Sequence, residues 1–150
     1  MGHERTRATA LVADPCPRLA QVSWLVSLPP DAVREAAALV TESAGKFAAL
    51  VLERDEVSLT VPDAVWAASP LRARARAVAG PYRVLTFDLD LELDVVGYLA
   101  PAAERLATAG VSIVPQCGFL KDHLLVREGD LERAREVLER WIAECGVETP

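Results

Sequence analysis

The sequence predicts an α+β fold of antiparallel sheets with helices on one face, and three observations carry that prediction. Residues 82–91 place apolar Val84, Leu85, Phe87, Leu89 and Leu91 partly in alternation with polar side chains, the period of a half-buried strand. Leu99, Ala102, Ala103, Leu106 and Ala107 then recur at helical spacing up to Gly110, and Leu131, Ala134, Val137, Leu138, Trp141, Ile142 and Cys145 do the same up to Gly146. Between those helices, Val111 to Val114 and His123 to Val126 read as short strands joined by Cys117 to Lys121. Strand, helix, strand, strand, helix is most of a ferredoxin-like βαββαβ unit.

The first half follows a similar plan. Residues 1–19, with Pro15 and Pro17, show little periodicity and read as an extended N-terminal arm ordered only against the rest of the chain. Val22 to Leu28 is a strand stopped by Pro29 and Pro30. Asp31 to Glu42 fits a helix with Val33, Ala36, Ala37 and Val40 on one side, although a short irregular turn satisfies the same residues. Phe47 to Leu52 and Glu56 to Val61 are two strands joined by the polar turn Glu53, Arg54, Asp55. Pro62 ends the second of them. Asp63 to Val78 is helical in pieces, interrupted at Pro70, and Gly80-Pro81 marks the border of the next half. A weak internal repeat supports two halves: the segments FAALVLERDEVSLTV and VSIVPQCGFLKDHLLV share one hairpin logic, with Glu56 or Asp122 opening the return strand. The expected organisation is therefore an arm (1–19), a first unit (20–80) and a second (81–150).

Composition bounds the function classes. One hundred and fifty residues, 51% of them hydrophobic, suffice for one compact domain or two small units sharing a core. A formal net charge of −6 argues against nucleic-acid or anionic-membrane partners. Arg72, Arg74 and Arg76 form the one dense basic run, and their spacing fans them around a helix as a solvated face. Cys16, Cys117 and Cys145 are odd in number and lack metal-ligand spacing, which favours a reducing, cytoplasmic setting over disulfides or zinc. The apolar stretch Ala8 to Ala13 is too short for a secretory signal, and no run is long enough to span a bilayer.

Several segments together resemble the ACT domains, and within them small stand-alone proteins with paired ACT-like units. The residues are DEVSLTVPDAVW in the first half, and LELDVVGYLAPAAERLATAGVSIVPQ with KDHLLVREGDLERA in the second, more than half the chain. The chain departs from that family's pattern at Val57 and Thr60 to Pro62, at His123 in place of an aromatic residue, and at Gln116-Cys117-Gly118 in place of a Ser/Thr-rich strand end. The resemblance implies a non-catalytic regulatory protein that binds a free amino acid at the interface of its units and signals to a separate protein. It implies a homo-oligomer, a dimer, and neither cofactor nor metal.

The residues themselves suggest how such a site works. Asp94, Val95, Val96, Gly97 and Tyr98 form a strand-to-helix turn whose orphan N–H groups, with the positive end of the helix dipole, suit a carboxylate. Pro101, near the start of that helix, removes no intrahelical bond. Asp122 and the carbonyls of Gln116, Cys117, Gly118 and Phe119 are the candidates to receive an ammonium group. Plainer roles stand beside these: Gly97 for tight helix packing, Asp94 as an N-cap, Asp122 and Gln116 as soluble hairpin residues. Cys117 as a reactive thiol has only His123 as a base nearby in sequence. Two rival functions remain, a ligand-free assembly module and a small enzyme on the same sheet, the latter without a visible nucleophile set, phosphate loop or metal cluster.

Overall fold

The computed structural model describes residues 11–12, 21–87 and 96–144. Its strands and helices, in chain order, are β1 (Leu11–Val12), β2 (Val22–Leu28), α1 (Val33–Glu42), β3 (Ala49–Leu52), β4 (Val57–Pro62), α2 (Asp63–Ala68), β5 (Ala77–Phe87), α3 (Leu99–Thr108), β6 (Ile113–Cys117), β7 (Asp122–Arg127) and α4 (Leu131–Glu144). Short 3-10 segments cover Pro30–Ala32, Pro70–Arg74 and Glu128–Asp130. The protein is a mixed α/β chain whose strands form antiparallel sheet structure, and it divides into two compact units, residues 20–84 and residues 85 onward together with the N-terminal segment.

The first unit has strand order β3-β4-β2-β5, with residues 77–84 of β5 as its last strand. β3 with β4, β4 with β2 and β2 with β5 all pair antiparallel, with Leu28 opposite Val57 and Leu52 opposite Val57 on the other side. Side chains alternate across a strand, so Val57, Leu59 and Val61 share one face. That face meets Ala32, Ala36 and Leu39 from the α1 region, Trp66 of α2 and Leu71, and all of these are buried. Residues 31–42 are thus helical, entered through a 3-10 turn. The helix ends where Ser43 returns its hydroxyl to the Leu39 carbonyl at 2.7 Å.

Strand β5 begins at Ala77, before Gly80-Pro81, where the sequence suggested a border. These two residues stay within the strand because they form a bulge: Ser23 pairs with Tyr82 and Leu25 with Ala79, so Trp24 faces two residues. Gly80, at φ +141°, is required there, since a Cβ would lie 2.9 Å from Cε3 of Trp24.

The second unit has order β6-β7-β5-β1, with Leu11 opposite Phe87 and Val12 opposite Thr86. The N-terminal segment therefore supplies the strand that completes the βαββαβ plan of this unit. Its core is Leu85 and Phe87 of β5, Ala102 and Leu106 of α3, Leu124 and Val126 of β7, and Leu131, Ala134, Leu138, Trp141 and Ile142 of α4. Of the predicted stripe of α4, these five are buried and Val137 packs partly buried against them, while Cys145 and Gly146 lie outside the described residues. Each buried leucine of this kind is worth about 1.5–3 kcal/mol relative to exposure. The hairpin β6-β7 runs further toward its tip than the apolar pattern indicates, because Cys117 and Asp122 still pair across it.

Candidate functional site

Alternation fixes which residues of the hairpin share a face. Leu124 and Val126 point into the helix-covered core, so Asp122, two residues earlier, lies on the same face with its partner Cys117. Tyr98, at the start of α3, packs edge-on against Phe87 of that core, with ring centroids 5.8 Å apart at 85°. The turn before α3 and the open end of the hairpin thereby come together. Burial, and secondarily the negative charge of Asp122, push the Tyr98 phenol above its usual pKa. Cys117 donates its thiol hydrogen to Asp122, and this bond, with some desolvation and the same charge, raises its pKa to about 11. That thiol is a poor nucleophile at neutral pH.

Gly97 sits at φ +77°, a left-handed conformation that glycine adopts without strain. A Cβ on it would meet nothing within 4 Å, so its role is the turn and not close packing of helix on strand. The N-cap of α3 is Tyr98, whose own side chain makes no capping bond. Pro101 occupies the first turn, where its missing N–H costs no intrahelical bond. The remaining first-turn N–H groups carry the positive end of the helix.

The other predicted site residues fall into three groups. Asp94 and Val95 lie outside the described residues. Val96 is 97% exposed, and Phe119, at 75%, stands at the hairpin tip beyond the Gly118 N–H bond to the Lys121 carbonyl at 2.8 Å. Gln116, paired with His123, turns its side chain to the opposite face of the sheet from Cys117 and Asp122, and its carbonyl, the group expected to meet an ammonium, lies in the plane of the strand.

That opposite face holds a pair which motif reading missed. His123 Nδ1 lies 3.0 Å from Thr86 Oγ1. Burial, then Lys121, lower the His123 pKa, and Asp122 opposes them. Strand alternation alone would have paired them, had the register of β5 on β7 been known. Among the described residues no His/Cys/Asp/Glu group could hold a metal ion, and no helix is long and apolar enough to cross a membrane. The basic run is not one patch. Arg74 pairs with Asp31 at 2.8 Å and Glu35 at 3.2 Å, while Arg76 bonds the Asp55 carbonyl.

The fold is similar to that of regulatory subunits of aspartate kinase. The regulatory subunit of aspartate kinase from Thermus flavus is similar in structure at 12% identity, TM-score 0.61, over 95% of this chain and 100% of that one. A protein of Agrobacterium tumefaciens, Atu0741, is similar at 23% identity and TM-score 0.63, over 87% of both chains. VC0802 of Vibrio cholerae, a protein of unknown function described as a possible transport protein, is similar at 20% identity and TM-score 0.61, over 89% and 88%. No family model matches the sequence. No curated protein matches it either.

Proposed function

We propose that this protein is a non-catalytic, cytoplasmic regulatory protein that binds a free amino acid in its second unit, between the turn 94–98 and the hairpin residues 116–119 and 122. The observation carrying this reading is the approach of Asp122 to Tyr98, the N-cap residue of α3, whose side chain leaves the first-turn N–H groups uncapped. The α-carboxylate docks on the first-turn N–H groups, and the ammonium group on Asp122. Gly97 leaves open space over the turn for the ligand's main-chain atoms. Charge-assisted bonds contribute about 1.5–3 kcal/mol each, and micromolar affinity requires about 8 kcal/mol in all, so the ligand's side chain must be partly buried as well. A ligand that prefers one arrangement of the protein shifts it by that difference in affinity, and a separate regulated partner then reads the shift. Likeness to aspartate kinase regulatory subunits supports the regulatory class. Homodimerisation belongs to the same reading.

A thermal-shift screen of the twenty amino acids should raise the melting temperature for one or a few of them. Gly97→Val and Asp122→Ala should weaken that ligand while leaving the protein folded. Normal binding by both variants would move the site elsewhere. A ligand-free assembly module is the second reading, favoured by Val51 and Leu52, 47% and 59% exposed on edge strand β3. It predicts no shift with any amino acid and an oligomer that dissociates on dilution.

A further inference from the structure

The first unit contains a hollow of about 350 Å³ lined by Trp24, Asp63, Trp66, Ala67, Arg72 and Val78. Its origin is the shortness of α2, which spans six residues before the chain turns at Ser69-Pro70. Val78 pairs with Val26, so Trp24, Val26 and Val78 share the helix-side face of the sheet. Val26 is buried there, yet Val78 is 46% exposed, because among the described residues no helix reaches over it. The uncovered stretch leaves a floor of two indoles and a valine.

Two opposite charges stand on the rim. Trp24 donates its indole N–H to Asp63 Oδ1 at 2.7 Å, which fixes both the ring and the carboxylate. Arg72 donates to the Ala67 carbonyl at 3.3 Å, which anchors one edge of the guanidinium. Among the described residues these are the only polar bonds that Asp63 and Arg72 side chains make, and no ion pair joins them across the hollow. Arg74, two residues on, is by contrast engaged by two acids. A larger hollow of about 470 Å³ beside α3 and α4 is bridged by the Arg105–Glu144 ion pair at 3.0 Å, so one pair of its lining charges is already matched.

We infer that the Trp24–Asp63–Arg72 hollow is a second small-molecule site, one that takes a zwitterion with an apolar or aromatic body. Asp63 receives the ammonium group through the oxygen that Trp24 leaves open. Arg72 receives the carboxylate with its remaining N–H donors, for which a planar fork is suited. The body stacks on Trp24, meets the exposed edge of the otherwise buried Trp66 and covers Val78, where aromatic contact adds to the area removed from water. Gly80 belongs to the same construction, since its bare backbone is what lets the Trp24 ring lie in place.

L-phenylalanine titrated against the intact protein, followed by tryptophan fluorescence, tests this. The expected result is a saturable change that Trp141→Phe and Asp122→Ala both preserve, which separates this site from the one at α3. Phenethylamine and 3-phenylpropionate each lack one pole and should bind about tenfold more weakly, the loss of one charge-assisted bond. Arg72→Gln and Asp63→Asn should cost a similar factor, and both positions are exposed enough for the fold to survive. Absence of saturation at millimolar L-phenylalanine overturns the site. So does equal binding of either one-pole analogue, a measurement that needs no variant.

Discussion

The two units follow the same order of strands and helices, yet they open at opposite points of it. In the first, the junction of β2 with α1 is closed: Pro29 and Pro30 lead into a 3-10 turn in which Ala32 N–H bonds the Pro29 carbonyl at 3.0 Å and Val33 N–H that of Pro30. Those donors are consumed locally, and Pro30 has none. In the second, the junction before α3 turns through left-handed Gly97, and the N-cap residue Tyr98 makes no side-chain capping bond. The converse holds at the other helix. The six-residue α2 leaves a hollow beside β5, whereas the fourteen-residue α4 buries Leu131, Ala134, Leu138, Trp141 and Ile142 along its length. A single fold thus offers a polar opening wherever glycine replaces proline at a junction or a helix stops early.

Paired glycine substitutions sharpen this contrast most. Gly80→Ala combines an unfavourable φ with contacts at 2.9 Å to Trp24 and 3.2 Å to the Ser23 carbonyl. Neither the backbone nor the indole can yield freely, so the expected loss of stability is about 2–4 kcal/mol. Gly97→Ala has the left-handed φ but open space around the new methyl, and should lose about 1–2 kcal/mol. Urea denaturation of both proteins measures the difference. Equal losses, or the reverse order, would break the distinction between a packed glycine and an open one.

How much of this was legible beforehand depended on the range of the interaction. The periods of α3 and α4, the stop at Pro62 and the turn at Gly97 are local, and the strand and helix assignments that rest on them hold. The split of Gln116 from Asp122 was also legible in principle, since alternation separates neighbours of unequal parity. Placing Cys117 to Lys121 in the connection between the strands hid it. The bulge at Gly80-Pro81 was not legible, because proline and glycine normally end strands, and only a facing Trp24 shows that here they interrupt one. Nor was the Trp24–Asp63 bond, which joins residues 39 apart. Contacts of that kind follow from register, which no single segment encodes.

The polar pair at the open end of the second unit gives the next test. In a Cys16→Ser, Cys145→Ser background, alkylation of Cys117 should rise with pH around a midpoint of about 11. Asp122→Asn removes the charge that holds the thiol proton, and the midpoint should fall toward the 9.0 of an unperturbed thiol. An unchanged midpoint would detach Asp122 from Cys117 and, with it, from the start of α3.

The smallest effect is expected on the opposite face of the same hairpin, and its sign follows from linkage. Burial and Lys121 depress the His123 pKa below its usual 6.5, against the pull of Asp122, so the folded protein holds fewer protons on this ring than the unfolded chain. The stability it contributes is complete above about pH 6.5 and fades as pH falls through the depressed value. His123→Gln keeps a group able to bond Thr86 but cannot titrate. The stability difference between wild type and variant should therefore be constant above neutrality and shift against the wild type on acidification toward pH 5, as read from urea midpoints. A difference that stays flat across that range would mean the ring is as solvated as in the unfolded chain. A shift in favour of the wild type would mean that Asp122, not burial, dominates the ring, and the two faces of the hairpin would then share one charge.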